Sequence, residues 1–139
     1  MTVYAHTDGA SRGNPGESGI GIVLHDENGS VLFSGGGYIG KTTNNVAEYE
    51  ALLACLRKVR SLNCQKLIVY SDSQLMVRQV RGEYKVKDKD LRMYFGKVQE
   101  LISTGGFEFS INHITREQNE DADLLANAGI ESRKALKIV

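Results

Sequence analysis

Four carboxylates are the residues of this 139-residue chain that could do chemistry together: Asp8, Glu48, Asp72 and Asp123. Carboxylates brought close repel one another and lose hydration, so a fold gains from such a cluster only when cations occupy it. A site made of carboxylate oxygens suits Mg²⁺ or Mn²⁺ better than zinc. The four acids therefore predict a divalent-metal site, and they favour two-metal phosphoryl chemistry on a nucleic acid.

Two of these acids follow predicted strands. Residues 2–8 are rich in β-forming side chains and end at Asp8, and the short apolar run 67–70 leads to Asp72. A fully apolar run of this length is typical of a buried parallel strand. Because polar residues gather at the carboxyl edge of such a sheet, we expect Asp8 and Asp72 to lie on adjacent central strands at that edge.

The other two acids lie near the starts of predicted helices. Glu48 is one turn into a helix with apolar residues at helical spacing, which Asn44 or Asn45 would cap. Asp123 is in the first turn of a last helix that Gly129 would end, where the helix dipole favours an ionised carboxylate. Each acid taken alone also fits an exposed carboxylate or a helix cap, and only the set of four favours a site.

The remaining elements complete one α/β domain. The patterns predict a turn over residues 11–19, strands over 20–26, 30–39 and 107–114, and helices over 73–80, 88–103 and 119–128. This order predicts a five-stranded mixed sheet, three antiparallel strands and then two parallel ones, flanked by helices on both faces. Residues 1–130 would form the catalytic domain, and residues 131–139 a C-terminal tail whose structure the pattern does not predict.

Composition limits the class of protein. Seventeen basic and 17 acidic residues cancel, which argues mildly against a nucleic-acid binder, although a local basic groove matters more than the sum. No apolar run approaches a membrane span and no signal-peptide pattern is present, so we expect a cytoplasmic monomer with no membrane partner. Cys55 falls in a helical apolar stripe and predicts a buried thiol, whereas Cys64 lies in a turn.

Four motifs occur in order over nearly the whole chain: TDGASRGNPG, TTNNVAEYEALLACL, SDSQ and NEDADLLAN. Together they resemble type 1 ribonuclease H. The resemblance implies a ribonuclease H-like fold and an endonuclease that hydrolyses the RNA strand of an RNA–DNA hybrid, leaving 5′-phosphate and 3′-hydroxyl ends. It also implies that the four acids bind two Mg²⁺ ions, with Mn²⁺ as a substitute, and Asp8 is our candidate to bridge both ions.

The resemblance also implies substrate contacts. The side chains that match minor-groove positions of that family are Asn14, Asn44, Asn45 and Gln74. Amides can bind a 2′-OH as donor or acceptor, which distinguishes RNA from DNA. Thr43 matches a phosphate-binding position, and Gly9 would leave room for a sugar close to the backbone. Turn chemistry at Asn14 and helix capping by Asn44 or Asn45 also explain these residues, and both roles can hold at once.

A cationic group is expected before the last acid. His113 lies ten residues before Asp123, at the spacing of a histidine on a mobile loop in many family members, but here it ends the predicted last strand. Arg116 follows in the pattern of a family subset. We favour Arg116 as the group nearest the scissile phosphate and place His113 second, with a simple ion pair as the alternative for Arg116.

The chain departs from many family members by lacking a basic, Trp-containing handle. The corresponding segment is GEYKVKDKD, and the chain contains no Trp. Lys85 and Lys87 could form a smaller basic patch that holds the DNA strand, with Lys89 and Arg92 beside them. A solvated helix face explains these charges equally well.

Two other functions compete with this interpretation. The first is a related nuclease that acts on double-stranded RNA or DNA junctions, of which the predicted 2′-OH readers disfavour the junctions. The second is a non-catalytic nucleic-acid-binding module on the same fold. A pure binder gains nothing from a negative cluster, so four intact carboxylates favour the enzyme.

Overall fold

A computed structural model of the protein describes residues 1–138, which contain one five-stranded sheet. Its strands are β1 (Thr2–Gly13), β2 (Gly16–His25), β3 (Val31–Thr42), β4 (Lys66–Ser71) and β5 (Glu108–His113). Their spatial order is β3-β2-β1-β4-β5; β1, β2 and β3 are antiparallel neighbours, and β4 and β5 pair in parallel fashion. This topology confirms the predicted fold class.

Four α-helices connect and cover the strands: α1 (Asn44–Val59), α2 (Gln74–Val80), α3 (Lys89–Thr104) and α4 (Glu120–Ser132). A 3₁₀ turn, Glu117–Asn119, precedes α4. Within residues 1–138, the helices are all too short or too polar to span a membrane. Cys55 of α1 is completely buried, which confirms its prediction as a buried thiol.

Helices α1 and α4 lie on opposite faces of the sheet. A Cβ atom added at Gly9 of β1 would lie 2.2 Å from the carbonyl carbon of Ala47 in α1. One added at Gly21 of β2 would lie 2.1 Å from the carbonyl oxygen of Ala122 in α4. Gly21 pairs with Asp8, the neighbour of Gly9, and successive residues of a strand face opposite sides. Glycines therefore let both acid-bearing helices sit directly against the strands.

Strand β1 is longer than the sequence predicts. Its parallel pairing with β4 ends at Thr7, but its antiparallel pairing with β2 continues until Gly13 pairs with Gly16. Asp8 therefore does not end its strand; it occupies the first β1 position beyond the parallel partner. The predicted turn over residues 11–19 was wrong because its small residues, typical of loops, here form a strand hairpin.

The cap of α1 also differs from the prediction. The Thr43 hydroxyl oxygen accepts the backbone N–H of Val46 at 3.2 Å, so Thr43 is the N-cap residue. Asn44 and Asn45 lie inside the first turn, and the prediction that one of them caps the helix was wrong. Thr43 has the extended backbone that a cap requires, and its hydroxyl oxygen supplies the acceptor.

Helix α4 continues past its predicted end. Gly129 lies within the helix, which runs to Ser132. A Cβ atom at Gly129 would lie 2.5 Å from the backbone nitrogen of Gly37 in β3. Gly129 is thus a close-packing glycine, and its prediction as a helix stop was wrong because that contact is made by a strand distant in sequence.

The chain after α4 crosses the outer edge of the sheet. The backbone N–H of Tyr38 in β3 donates to the Lys134 carbonyl oxygen at 2.8 Å. Leu136 then packs where a Cβ atom of Gly35 would stand, on the face of the sheet opposite α4. This segment therefore covers part of the exposed edge of β3, a form of edge protection. Val139, the last residue of the predicted tail, lies outside the described residues.

Candidate active site

Three of the predicted acids converge at the point where β1 and β4 separate. Carboxylate oxygens of Asp8, Glu48 and Asp72 all lie within 4.8 Å of one another. Asp8 belongs to β1, Glu48 to the second turn of α1, and Asp72 to the segment that follows β4. Asp123, from the first turn of α4, lines the same cavity as these three acids and completes the group of four. We refer to these four residues as the carboxylate cluster.

Burial and mutual repulsion raise the pKa values of two acids in the carboxylate cluster, so that these acids keep protons at neutral pH. Burial, followed by the charges of Glu48 and Asp72, raises the pKa of Asp8 to about 9. Burial and the charge of Asp72 also raise the pKa of Glu48 to about 8, although the Gly9 N–H and the Arg116 guanidinium oppose that shift. Without a cation, the cluster therefore carries fewer negative charges at neutral pH than its composition suggests.

The Gly9 backbone orients the Glu48 side chain. Its N–H donates to Glu48 Oε1 at 2.8 Å, a buried hydrogen bond between β1 and α1. The contact requires α1 to approach Gly9 more closely than any side chain would allow. Gly9 also lines the cavity described below, but in this structure it is the packing of α1 that requires a glycine.

Two asparagine side chains donate to the carboxylate cluster. Asn119 is buried, and its amide nitrogen donates to Asp72 Oδ2 at 3.2 Å and to the Thr7 carbonyl oxygen at 2.9 Å. The amide nitrogen of Asn127 donates to Asp123 Oδ1 at 3.4 Å. Neither asparagine was predicted from the sequence as a site residue. For Asn127 the available signal was its spacing, because it lies four residues after Asp123 in α4 and so shares a helix face with it. Asn119 lies in the 3₁₀ turn before α4.

The carboxylate cluster opens into a cavity of about 400 Å³. Its other lining residues are Gly9, Ala10, Ser11, Asn44, Ser73, Arg116 and Asn127. Of the two predicted cationic groups, Arg116 lines this cavity, whereas His113 is exposed at the end of β5 and is not part of its wall. His113 does end its strand, as predicted.

A second hollow adjoins the first and contains other predicted substrate contacts. It is lined by Asn14, Thr43, Asn45, Val46, Asp88, Asp90 and Leu91. The Asn14 side-chain oxygen accepts the backbone N–H of Asn44 at 3.1 Å, which links this hollow to the cavity. Asp88 and Asp90 were not predicted as part of this site. They place two acids in the same hollow as Thr43, the residue that the resemblance implied would bind a phosphate.

The other predicted contacts lie on exposed surface. Gln74 is exposed at the start of α2. Lys85 and Lys87 are exposed in the segment 81–88 between α2 and α3 and line neither the cavity nor the adjoining hollow. The structure therefore separates the lysine patch from the carboxylate cluster, and contact with it would require an extended ligand.

Comparison with known proteins identifies the family. Residues 6–129 match the Reverse transcriptase-like family. The chain is 42% identical over 129 residues to Ribonuclease HI of Halobacterium salinarum, covering 93% of this chain and 64% of that protein. It is 34% identical over 148 residues to Ribonuclease H of Methylococcus capsulatus, covering 94% and 90% of the two chains. This chain belongs to the type 1 ribonuclease H family. It spans less than two thirds of the length of the first of these relatives.

A solved structure of another family member supports the same assignment. The crystal structure of LC11-RNase H1 in complex with an RNA/DNA hybrid matches with a TM-score of 0.89 and 42% identity, covering 94% of this chain and 97% of that one. The described part of this chain has no additional helix in the segment that was predicted to lack the basic handle. There, residues 81–88 join α2 directly to α3.

The donor atoms of the carboxylate cluster fit the divalent ions that ribonucleases H require. The cluster offers carboxylate oxygens, and within the described residues no His or Cys joins it. Buried acids that retain protons near neutral pH are also groups at which a cation can replace a proton. The site therefore suits hard, oxygen-preferring ions better than zinc.

Proposed function

We propose that this protein is a Mg²⁺-dependent endonuclease that hydrolyses the RNA strand of RNA–DNA hybrids, leaving 5′-phosphate and 3′-hydroxyl ends. The observation that carries the proposal is the convergence of Asp8, Glu48 and Asp72 within 4.8 Å at the floor of an open cavity. The family membership of the chain supports it, as does the hybrid bound to LC11-RNase H1. Mn²⁺ should replace Mg²⁺, because it takes the same oxygen ligands.

Each acid of the carboxylate cluster would hold metal. Asp8 would be the central ligand, because its carboxyl group interacts with those of Glu48, Asp72 and Asp123. When bound, two divalent ions would lower the pKa of an attacking water and stabilise the departing 3′ oxygen. The Gly9 N–H would keep Glu48 turned towards the cluster, and the Asn119 amide would keep Asp72 in place.

The cavity walls would bind and orient the RNA strand. Arg116 presents its guanidinium to the cavity, where it can bind a phosphate oxygen and stabilise the charge that develops during displacement. Asn44 lines the same cavity, and Asn14 is held against its backbone. Amides in these positions can read 2′-OH groups of the RNA strand, which would exclude DNA. His113 lies outside the cavity wall, so we assign it the lesser role.

A panel of labelled substrates tests this proposal. RNA–DNA hybrid, RNA duplex, DNA duplex and single strands would each be incubated with Mg²⁺ or EDTA. We expect wild type to cleave the RNA strand of the hybrid only when Mg²⁺ is present. The Asp72→Asn variant should not cleave it. Asp121→Asn, an exposed acid of α4 outside the carboxylate cavity, is the matched control and should retain activity.

The same panel separates the competing functions. Equal cleavage of RNA duplex and hybrid would identify a double-stranded RNA nuclease. Binding of hybrid without cleavage at any metal concentration would identify a binding module and contradict the proposal.

A further inference from the structure

The carboxylate of Asp123 has a dedicated neutral donor. The amide nitrogen of Asn127, one turn along α4, donates to the Asp123 backbone carbonyl at 3.0 Å and to its Oδ1 atom at 3.4 Å. The two hydrogens of one amide thus bind the backbone and the side chain of the same residue. Asn127 is half-buried and lines the cavity. Rotation of the Asp123 side chain away from the carboxylate cluster would break one of these bonds.

An arginine determines which way the Asn127 amide points. Arg12 Nη2 faces Asn127 Oδ1 at 3.5 Å, and Arg12 Nη1 pairs with Glu131 at 2.5 Å. A guanidinium can only donate and an ionised carboxylate can only accept. A flipped amide would therefore set donor against donor at Arg12 and acceptor against acceptor at Asp123. The exposed Arg12–Glu131 pair adds little stability by itself. The pair places the Arg12 guanidinium next to Asn127 Oδ1, and the guanidinium favours this orientation of the amide.

A neutral donor suits a metal ligand better than a cation would. A lysine or arginine bonded to Asp123 would neutralise the charge that attracts a divalent ion, whereas an amide orients the carboxylate and leaves its charge intact. We propose that Asn127 is a positioning residue that holds Asp123 for metal binding, and that Arg12 acts through Asn127. This inference rests on the metal site of the proposed function and adds to it a chain of contacts from α4 to β1.

Metal binding to the substrate-free protein tests the role of Asn127. Mg²⁺ would be titrated calorimetrically into wild type, Asn127→Ala and Leu124→Ala; Leu124 is an exposed residue of the same helix. We expect Asn127→Ala to weaken Mg²⁺ binding about tenfold, the lower end of effects seen when a partner of a metal ligand is removed. Leu124→Ala should bind Mg²⁺ as wild type does.

Two further readouts distinguish positioning from a structural role. Alanine is the better helix former, so the melting temperature of Asn127→Ala in EDTA should not fall. The Mg²⁺ concentration that half-saturates hydrolysis should rise with the dissociation constant, while kcat at saturating Mg²⁺ changes much less. A lower melting temperature with unchanged Mg²⁺ affinity would show a structural role and overturn the proposal. Equal affinities in Asn127→Ala and wild type would also overturn it.

A double-mutant cycle tests the role of Arg12. If loss of the Arg12 charge acted on Mg²⁺ only through electrostatics, it would strengthen Mg²⁺ binding. If Arg12 acts through Asn127, Arg12→Ala should instead weaken binding about two- to threefold in wild type and should not weaken it in the Asn127→Ala background. Equal weakening in both backgrounds would contradict the action of Arg12 through Asn127.

These binding measurements separate this inference from the proposed function. Wild-type protein that binds Mg²⁺ but cleaves no hybrid would refute the nuclease, while the comparison of variants would still decide the role of Asn127. Wild-type protein that binds no Mg²⁺ would refute both.

Discussion

Asp8→Asn should make the metal-free protein more stable. In EDTA, the carboxylate cluster must either hold protons or bear uncompensated charge, and Asp8 lies at its centre. An amide at this position has nearly the same shape and carries no charge at any pH. The variant therefore removes the repulsion while leaving the surrounding packing unchanged.

The magnitude follows from the pKa of Asp8. Folding raises this pKa from 3.8 to about 9, so the folded protein keeps a proton that the unfolded chain releases as pH rises. The stability associated with Asp8 is fully present below pH 3.8 and decreases as pH rises towards 9, by about 1.36 kcal/mol per pH unit. At pH 7 the loss is on the order of 4 kcal/mol. We expect Asp8→Asn to raise the free energy of unfolding at pH 7 by about 2–4 kcal/mol. The gain is smaller than the full loss because burial of an amide also costs hydration.

Urea unfolding in EDTA at pH 4, 7 and 9 measures this effect. The midpoint for Asp8→Asn should exceed that of wild type by about 1–2 M urea at pH 7, by more at pH 9, and by little at pH 4. Glu100→Gln, at an exposed position of α3, is the control and should follow wild type at every pH. Mg²⁺ should stabilise wild type more than the variant, since we expect it to bind the folded state only and the variant lacks one acid of the cluster. If the difference in urea midpoint between Asp8→Asn and wild type does not grow with pH, the raised pKa of Asp8 is not the cause of the instability.

Three further predictions concern residues outside the carboxylate cluster. Arg116→Ala should lower kcat at least tenfold, which corresponds to about 1.4 kcal/mol of activation barrier. His113→Ala should lower kcat less, because of these two residues only Arg116 lines the cavity. The opposite order of effects in single-turnover kinetics would contradict this assignment. Neutralising Lys85 and Lys87 together should reduce the slope of a plot of log affinity for the hybrid against log salt concentration by about 2. An unchanged slope would show that the two lysines are only solvated surface residues. Leu136→Ala should lower the free energy of unfolding by about 1–2 kcal/mol, since the side chain is half-buried against Gly35; a chemical-denaturation midpoint equal to wild type would contradict this packing role.

The sequence was sufficient for the arrangement of elements because the main signals are local. The helical spacing of apolar residues in α1 and the apolar run of β4 each indicate one structure, and the order of elements restricts the sheet to few topologies. The predicted order of strands and helices agrees with the structure throughout. The convergence of Asp8 with Asp72 follows from that order, since β1 and β4 are parallel neighbours.

Two of the errors in the predicted fold occur where small residues serve contacts with other elements. Gly129 looks like a helix stop in the sequence, yet it allows α4 to pack against the β3 backbone. The small residues after Asp8 look like a loop, yet they continue β1 as one arm of a hairpin with β2. In both cases the deciding neighbour belongs to another element, which local propensity does not reveal.

Parts of the candidate site depend on contacts between distant elements and could not be predicted. Asp88 and Asp90 lie beside Thr43 because α3 starts next to the cap of α1, and no motif indicates that contact. By contrast, Asn127 could have been identified from the sequence, because it lies one turn after Asp123 on the same helix face. Its orientation by Arg12 of β1 required the structure.

We propose that the carboxylate cluster binds Mg²⁺ and uses it to cut RNA paired with DNA. The most direct measurement compares wild type with Asp72→Asn on a hybrid labelled in its RNA strand, with Mg²⁺ and with EDTA. We expect RNA fragments with 5′-phosphate ends from wild type only when Mg²⁺ is present, and no fragments from a folded Asp72→Asn protein. Cleavage by Asp72→Asn at the wild-type rate, or cleavage by wild type in EDTA, would contradict it.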